Sequence, residues 1–129
     1  MKSVVICCSN KFAKEASAFA AKLRDLGVNV MEPHFYDAGG GDWSRVHAFD
    51  KQFLAVGLTH DHFQKIRTGD LVFFYNKDGY FGNSTTLELG FATALGKPVY
   101  ALSDKDSELC RKILIRQFVA APEELIKFL

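Results

Sequence analysis

Glu88 is the carboxylate whose neighbours make it chemically interesting. It lies in Ser84-Thr85-Thr86-Leu87-Glu88, after a loop that carries Asn76, Asp78, Gly79, Gly82 and Asn83. Strand, glycine-punctuated loop and helix in that order put the loop and the helix start at one end of the strand. The positive end of a helix favours an ionised carboxylate, so Glu88 is expected to be charged at neutral pH. Beside a crevice such a group can attack an electrophilic carbon, notably the anomeric carbon of a sugar. Thr85-x-x-Glu88 is also a capping box, which is a purely structural use of the same residues. The two uses differ in side-chain direction: a capping Glu folds back onto the Thr85 amide, and a catalytic one faces the crevice.

The neighbouring residues carry similar double readings. Ser84 and Thr85, with adjacent backbone amides, form an anion- or hydroxyl-binding turn or simply cap the helix. Gly79 and Gly82 suit a turn and also permit close backbone approach to a ligand. Tyr80 and Phe81 between them can cover a base or sugar, or pack on a partner subunit. Asp70 opens a strand, and its position alone favours a structural hydrogen bond. Neither Gly-x-Gly-x-x-Gly after the first strand nor a Walker A sequence is present, which disfavours dinucleotide and triphosphate cradles. A serine nucleophile elbow is also missing. The four histidines show no metal spacing beyond the weak His60-x-His62 pair. Cys7, Cys8 and Cys110 are odd in number, and adjacent strand residues point to opposite faces. They are expected to be structural thiols, with no metal and no cofactor.

These residues must be positioned by the elements around them. The chain has 129 residues, enough for one domain spanning 1–129 with a proper core. At 48% hydrophobic and 24% charged, with a net charge of +1, it has the make-up of a soluble globular protein. That balance disfavours a nucleic-acid polymer or a membrane surface as partner. Ser3–Cys8 is too short for a signal-peptide core, so a cytoplasmic location is expected.

Ser3–Cys8 reads as a strand buried on both faces. Phe12–Leu26 follows with Phe12, Ala16, Phe19, Ala20, Leu23 and Leu26 on one helical face, stopped by Gly27. Val28–Met31 is a second strand, and His34–Gly41 an irregular, glycine-rich loop. From about Ser44 helical spacing returns, and Gly57 and Thr59 predict a broken helix with its aromatic face on the sheet. Leu71–Tyr75 is the most apolar strand, followed by the Glu88 helix to Leu95. Val99–Leu102 is the fourth strand. A helix from Ser103 or Asp104 through Leu114, a short strand at Phe118-Val119 and a helix from Pro122 complete the chain.

Strict strand–helix alternation implies an α/β fold: a five-stranded parallel sheet with helices on both faces, in Rossmann-like or flavodoxin-like order 2-1-3-4-5. Ligands bind such sheets at the carboxyl ends of the strands, where the order switches. That rule brings Ser9, Asn10 and the stretch Asn76 to Ser84 to one rim, with the loop after the second strand beside them.

From Asp70 the chain runs through a strand opening with Asp, a Gly-rich loop, and Thr85-x-x-Glu88-Leu89-Gly90-Phe91-Ala92-x-Ala94-Leu95-Gly96-Lys97-Pro98-Val99-Tyr100. This pattern resembles the nucleoside 2-deoxyribosyltransferase superfamily, including the deoxynucleoside-monophosphate N-hydrolases, in a short and divergent form. The resemblance implies that Glu88 is the nucleophile at the anomeric carbon and that Asp70 helps orient the site. It implies cleavage or transfer of the N-glycosidic bond of a nucleoside or its monophosphate. Ser9, Asn10, Asn76, Asp78, Gly79, Tyr80, Gly82, Ser84 and Thr85 would then contact substrate. Transferases commonly carry a loop acid about six residues before the nucleophile. This chain has Gly82 there, and Asp78 is the loop acid that could substitute. A non-catalytic binder of a nucleotide-like ligand and a NAD-cleaving enzyme are the alternatives. The resemblance also implies a homo-oligomer, to which the aromatics Phe35, Tyr36, Trp43, Tyr80 and Phe81 would contribute.

Overall fold

A computed structural model describes residues 2–37 and 40–129. Five parallel strands form one sheet: β1 (Ser3–Cys7), β2 (Asn29–Met31), β3 (Leu71–Phe74), β4 (Val99–Ala101) and β5 (Gln117–Phe118). Their spatial order is β2-β1-β3-β4-β5, as the alternation implies. The two central strands pair from Val4 with Leu71 to Cys7 with Phe74. Of the irregular loop expected over His34–Gly41, Ala38 and Gly39 lie outside the described residues.

The continuous apolar runs of β1 and β3 reflect burial on both faces. Val4, Ile6, Leu71 and Phe73 turn to one face, where Phe19, Ala20 and Leu23 of α1 (Ala13–Asp25) and Leu125 of α5 (Pro122–Leu125) cover them. The Phe19 ring stacks on Phe73 with centroids 4.7 Å apart. Val5, Cys7, Val72 and Phe74 turn to the other face, under Ile66 of α2 (Ala48–Thr68) and Leu89 and Ala92 of α3 (Asn83–Ala94). The period-two alternation therefore sends Cys7 towards α2 and α3, and Cys8 to the opposite side.

Four expectations are corrected. The helix expected to break at Gly57 and Thr59 is continuous over 21 residues. A helix-interior glycine costs only about 1 kcal/mol relative to Ala, and Gly57 faces open space. The aromatic face of α2 lies on the sheet only in part: Phe63 packs against the core on that face, whereas Phe49 and Phe53 are 61% and 62% exposed. At 1.5 Å per residue α2 is about 31 Å long, whereas a four-residue strand spans about 13 Å, so half of the helix outruns the sheet.

The helix expected from Ser103 to Leu114 contracts to α4 (Leu109–Lys112). Residues 103–108 instead follow side-chain hydrogen bonds. Asp106 accepts from the Glu108 amide and takes a bidentate contact from Arg111, at 2.7 and 2.8 Å. The Asn76 side chain clamps the Ser103 backbone. The last strand sits one residue earlier than expected, at Gln117–Phe118. Among the described residues no helix is long and apolar enough to cross a membrane.

Candidate functional site

β1 and β3 end side by side, with the Tyr75 amide donating to the Cys7 carbonyl at 2.8 Å. Beyond that point their loops part. β1 runs into Ser9, whose Oγ accepts from the Lys11 amide, and so into a 3-10 turn (Asn10–Phe12) leading to α1. β3 runs through the glycine loop into α3 on the opposite face. The parting leaves a cavity of about 520 Å³ at the switch point, within the size range of small-molecule sites.

The cavity is lined by Ser9, Asn10, Tyr80, Gly82, Ser84, Thr85 and Glu88, all named as site candidates from the sequence. Asp70, Asn76, Asp78 and Gly79 are not brought there. Asp70 sits at the amino end of the sheet, where its carboxylate accepts from the Ser3 amide (2.9 Å) and hydroxyl (3.1 Å). These bonds hold its pKa below the usual carboxylate value. Ser3 is four residues from Cys7, so about 13 Å of strand separates Asp70 from the rim. This is the structural hydrogen bond that the position of Asp70 favours, and it lies away from the cavity where the resemblance implied an orienting acid.

Asn76 is buried, and its amide is spent on Ser103, at 2.9 Å in both directions. Gly79, at φ +81°, presses against the backbone of Lys105 and Asp106. Asp78, exposed at φ +56°, is not among the cavity residues, whereas Gly82 is. Phe81 is core, packed on Phe74 at 5.6 Å, so it covers no ligand or partner. Tyr80 is 45% exposed, with the Lys11 ammonium 4.2 Å from its ring centroid.

The capping box does not form. α3 has Gly82 as its N-cap with no side-chain cap, and Glu88 lies in the second turn rather than at the helix end. Its carboxylate points down towards the sheet, with Oε2 3.6 Å from Nε2 of His62 on α2. The Cys7 sulfur, from the end of β1, lies 3.2 Å from the same nitrogen. Cys7 Sγ, His62 Nε2 and a Glu88 oxygen all lie within 4.8 Å of one another.

Burial dominates the electrostatics of this cluster. It raises the Glu88 pKa from 4.5 to about 7, and a hydrogen bond with the Cys7 thiol pulls weakly the other way. The expected full ionisation at neutral pH is therefore corrected. A helix-end field fades within one turn, and at this depth desolvation outweighs it. Burial also lowers His62 from 6.5 to about 4, helped by the nearby Lys65 charge. Cys7 is pushed well up, first by burial and then by Glu88. At neutral pH the cluster holds a thiol, a neutral imidazole and a half-ionised carboxyl, so the His62–Glu88 contact is not an ion pair. Nor is it a relay triad. Cys7 and Glu88 both address Nε2, while His62 Nδ1 and Glu88 Oε2 are buried without a hydrogen-bond partner.

The sequence did not point to Cys7 or to His62, and it placed the loop after β2 at the rim without giving its aromatics a role there. Phe35, Tyr36 and Trp43 line the cavity, with Tyr36 and Trp43 edge to face at 5.8 Å. The helical spacing of His62 with Ile66 on one face was the available signal for an inward histidine. Apart from Glu88, the acid among the lining residues is Asp37, whose Oδ1 accepts from the Trp43 amide at 2.7 Å.

No protein-family model matches the sequence, and no curated protein matches it. Solved structures do. A 2-deoxyribosyltransferase from the psychrotolerant bacterium Bacillus psychrosaccharolyticus is 21% identical, over 95% of this chain and 89% of that one, with a TM-score of 0.62. A conserved protein from Enterococcus faecalis V583 is 16% identical, over 98% of this chain and 96% of that one, with a TM-score of 0.60. At these identities the shared property is the fold: the chain has the α/β architecture of a 2-deoxyribosyltransferase over nearly its whole length.

Proposed function

We propose that this protein breaks the N-glycosidic bond of a nucleoside or nucleoside monophosphate, with Glu88 as the nucleophile. The observation that carries the reading is the Glu88 carboxyl, held at the floor of a switch-point cavity in the fold of a deoxyribosyltransferase. In the ionised form a Glu88 oxygen attacks the anomeric carbon. The carbon–nitrogen bond breaks, and the base leaves with the bonding pair and takes a proton from water. Water then attacks the same carbon, releasing the sugar and restoring the carboxylate. Transfer differs only in that a second base replaces water. Gly82 at the loop-acid position, with Asp78 turned away, favours water as the acceptor.

The lining supports a substrate of this class. Tyr36, Trp43 and Tyr80 offer aromatic surface to a base. Ser9, Asn10, Ser84 and Thr85 offer hydroxyl, amide and helix-start groups to a sugar or a 5′-phosphate. Incubation with a panel of deoxynucleosides and their monophosphates, with and without an acceptor base, tests the proposal. No base release from any of them would overturn it. Tyr80→Ala is expected to raise KM several-fold at nearly unchanged kcat, the pattern of lost uniform binding. Asp70→Asn is expected to keep base release within about twofold of wild type, because Asp70 lies at the far edge of the sheet. Steady-state kinetics on both variants reads the difference.

A second reading is a binding module for a nucleotide-like ligand. It is favoured by one observation: half of the Glu88 population near pH 7 is protonated and non-nucleophilic. Thermal stabilisation by a ligand without turnover would support it, and a nicotinamide-release assay separates NAD cleavage. Self-association belongs to the main reading. The exposed Phe49, Phe53 and Val56 on the free half of α2 are the apolar surface that a second copy would cover, and sedimentation equilibrium tests this.

A further inference from the structure

Three metal-ligand atoms on three different elements converge at the floor of the cavity: Cys7 Sγ from β1, His62 Nε2 from α2 and a Glu88 oxygen from α3. In a proton relay the imidazole gives one nitrogen to each neighbour. Here sulfur and carboxylate approach the same nitrogen, at 3.2 and 3.6 Å. Nε2 offers one proton or one lone pair, so it cannot satisfy both at once. Even with the Cys7 thiol hydrogen-bonded to the Glu88 carboxyl, Glu88 Oε2 stays buried and unpartnered. A cation resolves the conflict by accepting a lone pair from each group.

The dimensions and the chemistry agree. With zinc bonds of about 2.3 Å to sulfur and about 2.0–2.1 Å to nitrogen and oxygen, a tetrahedral site has S···N and N···O edges of about 3.6 and 3.3 Å. These two observed separations differ from the ideal edges by a few tenths of an ångström, and the sulfur lies within 4.8 Å of a Glu88 oxygen. Sulfur and nitrogen donors disfavour the hard ions magnesium and calcium and suit zinc. A thiolate and a carboxylate balance the two charges of the ion.

We propose that Cys7, His62 and Glu88 bind one Zn²⁺, with the fourth position open to the cavity. His62 and Glu88 line the cavity while Cys7 does not, so the ion enters past the first two and meets the sulfur last. On binding, the Cys7 thiol and the protonated fraction of Glu88 release their protons to solvent. Sγ, Nε2 and a Glu88 oxygen then fill three positions and a cavity water the fourth. The site goes beyond the base-release reading and does not depend on it. Where that reading holds, the ion ties up the Glu88 oxygen, so zinc inhibits.

Cobalt(II) titrated into the chelator-stripped protein tests the site. One equivalent should give the intense visible bands of a four-coordinate ion and a near-ultraviolet thiolate-to-cobalt band, both lost on adding zinc. Cys7→Ser should lose the thiolate band. His62→Gln and Glu88→Gln should each weaken cobalt binding by at least about tenfold. Melting each variant without metal reports its folding, and the two cavity-lining variants decide the matter if Cys7→Ser does not fold. A missing thiolate band in wild type overturns the proposal. So does equal zinc stabilisation of wild type, His62→Gln and Glu88→Gln, which would place the ion elsewhere. A cobalt spectrum without base release overturns the nucleophile reading alone. Base release without a cobalt spectrum, or base release indifferent to stoichiometric zinc, overturns the metal site alone.

Discussion

Replacing Glu88 by Gln should abolish base release and, at alkaline pH, make the fold more resistant to unfolding than the ionised wild-type site allows. Loss of the nucleophile is expected to lower kcat by at least about a thousandfold. The stability effect follows from the raised pKa. Unfolded, Glu88 titrates near 4.5; folded, near 7. Between those values the folded chain keeps a proton that the unfolded chain has lost. The resulting stability is fully present below about pH 4.5 and disappears as pH rises through about 7. A shift of this size corresponds to about 3 kcal/mol. Gln stays neutral throughout, so the stability difference between variant and wild type should move by about that amount in the variant's favour between pH 4.5 and 8.

His62 contributes the opposite slope. Its pKa falls from 6.5 to about 4 on folding, so its contribution is present above about 6.5 and is lost as pH falls through about 4. In wild type the two slopes oppose each other between pH 4.5 and 6.5. In Glu88→Gln only the His62 slope remains, and stability should climb steadily across that window. Urea unfolding at pH 4.5, 6 and 8 reads both effects. A variant-to-wild-type difference that is flat with pH would contradict the buried, proton-holding carboxyl. The same titration sets the rate: wild-type kcat/KM should rise about tenfold from pH 6 to 8 as the nucleophilic form accumulates.

Gly79→Ala is expected to destabilise the protein by about 3 kcal/mol or more. Gly79 holds φ +81°, a region costly for any residue with a Cβ. An added Cβ would fall inside the contact radius of the Asp106 nitrogen and the Lys105 carbonyl carbon. These backbone atoms have little freedom to move away. Asp106 is fixed by the Arg111 guanidinium and Ser103 by Asn76. A lowered urea midpoint with little change in ligand affinity would identify the loop as a packing element. Unchanged stability with weakened ligand binding would restore the ligand-facing role that its sequence suggested.

Much of the frame was legible because its signals are local. Ser3–Cys8 and Leu71–Tyr75 declare themselves as doubly buried strands by unbroken apolar runs, each one residue longer than the strand observed, and the order 2-1-3-4-5 follows from strict alternation. The switch-point rule then brought Ser9, Asn10 and the start of α3 to one cavity. The errors share a cause. The break at Gly57 and the helix start at Ser103 or Asp104 rested on propensity and spacing. In the fold, α2 outruns the sheet and the Asp106–Arg111 contact reshapes the following turn. The orienting role of Asp70 rested on the family resemblance alone, and a residue that opens a strand lies at the end away from the rim.

The sequence by itself determined which elements exist, how the strands are ordered, and that Glu88 stands on a helix beside the switch point. Periods of two and 3.6 residues and the handedness of βαβ crossovers are properties of the local chain. Only the tertiary structure decided that Glu88 turns towards Cys7 and His62 instead of capping its own helix, and that it holds a proton near neutrality. The three residues are distant in sequence and meet because α2 and α3 cover the same face of β1. The protonation state follows from the surrounding dielectric, which exists only once those layers close.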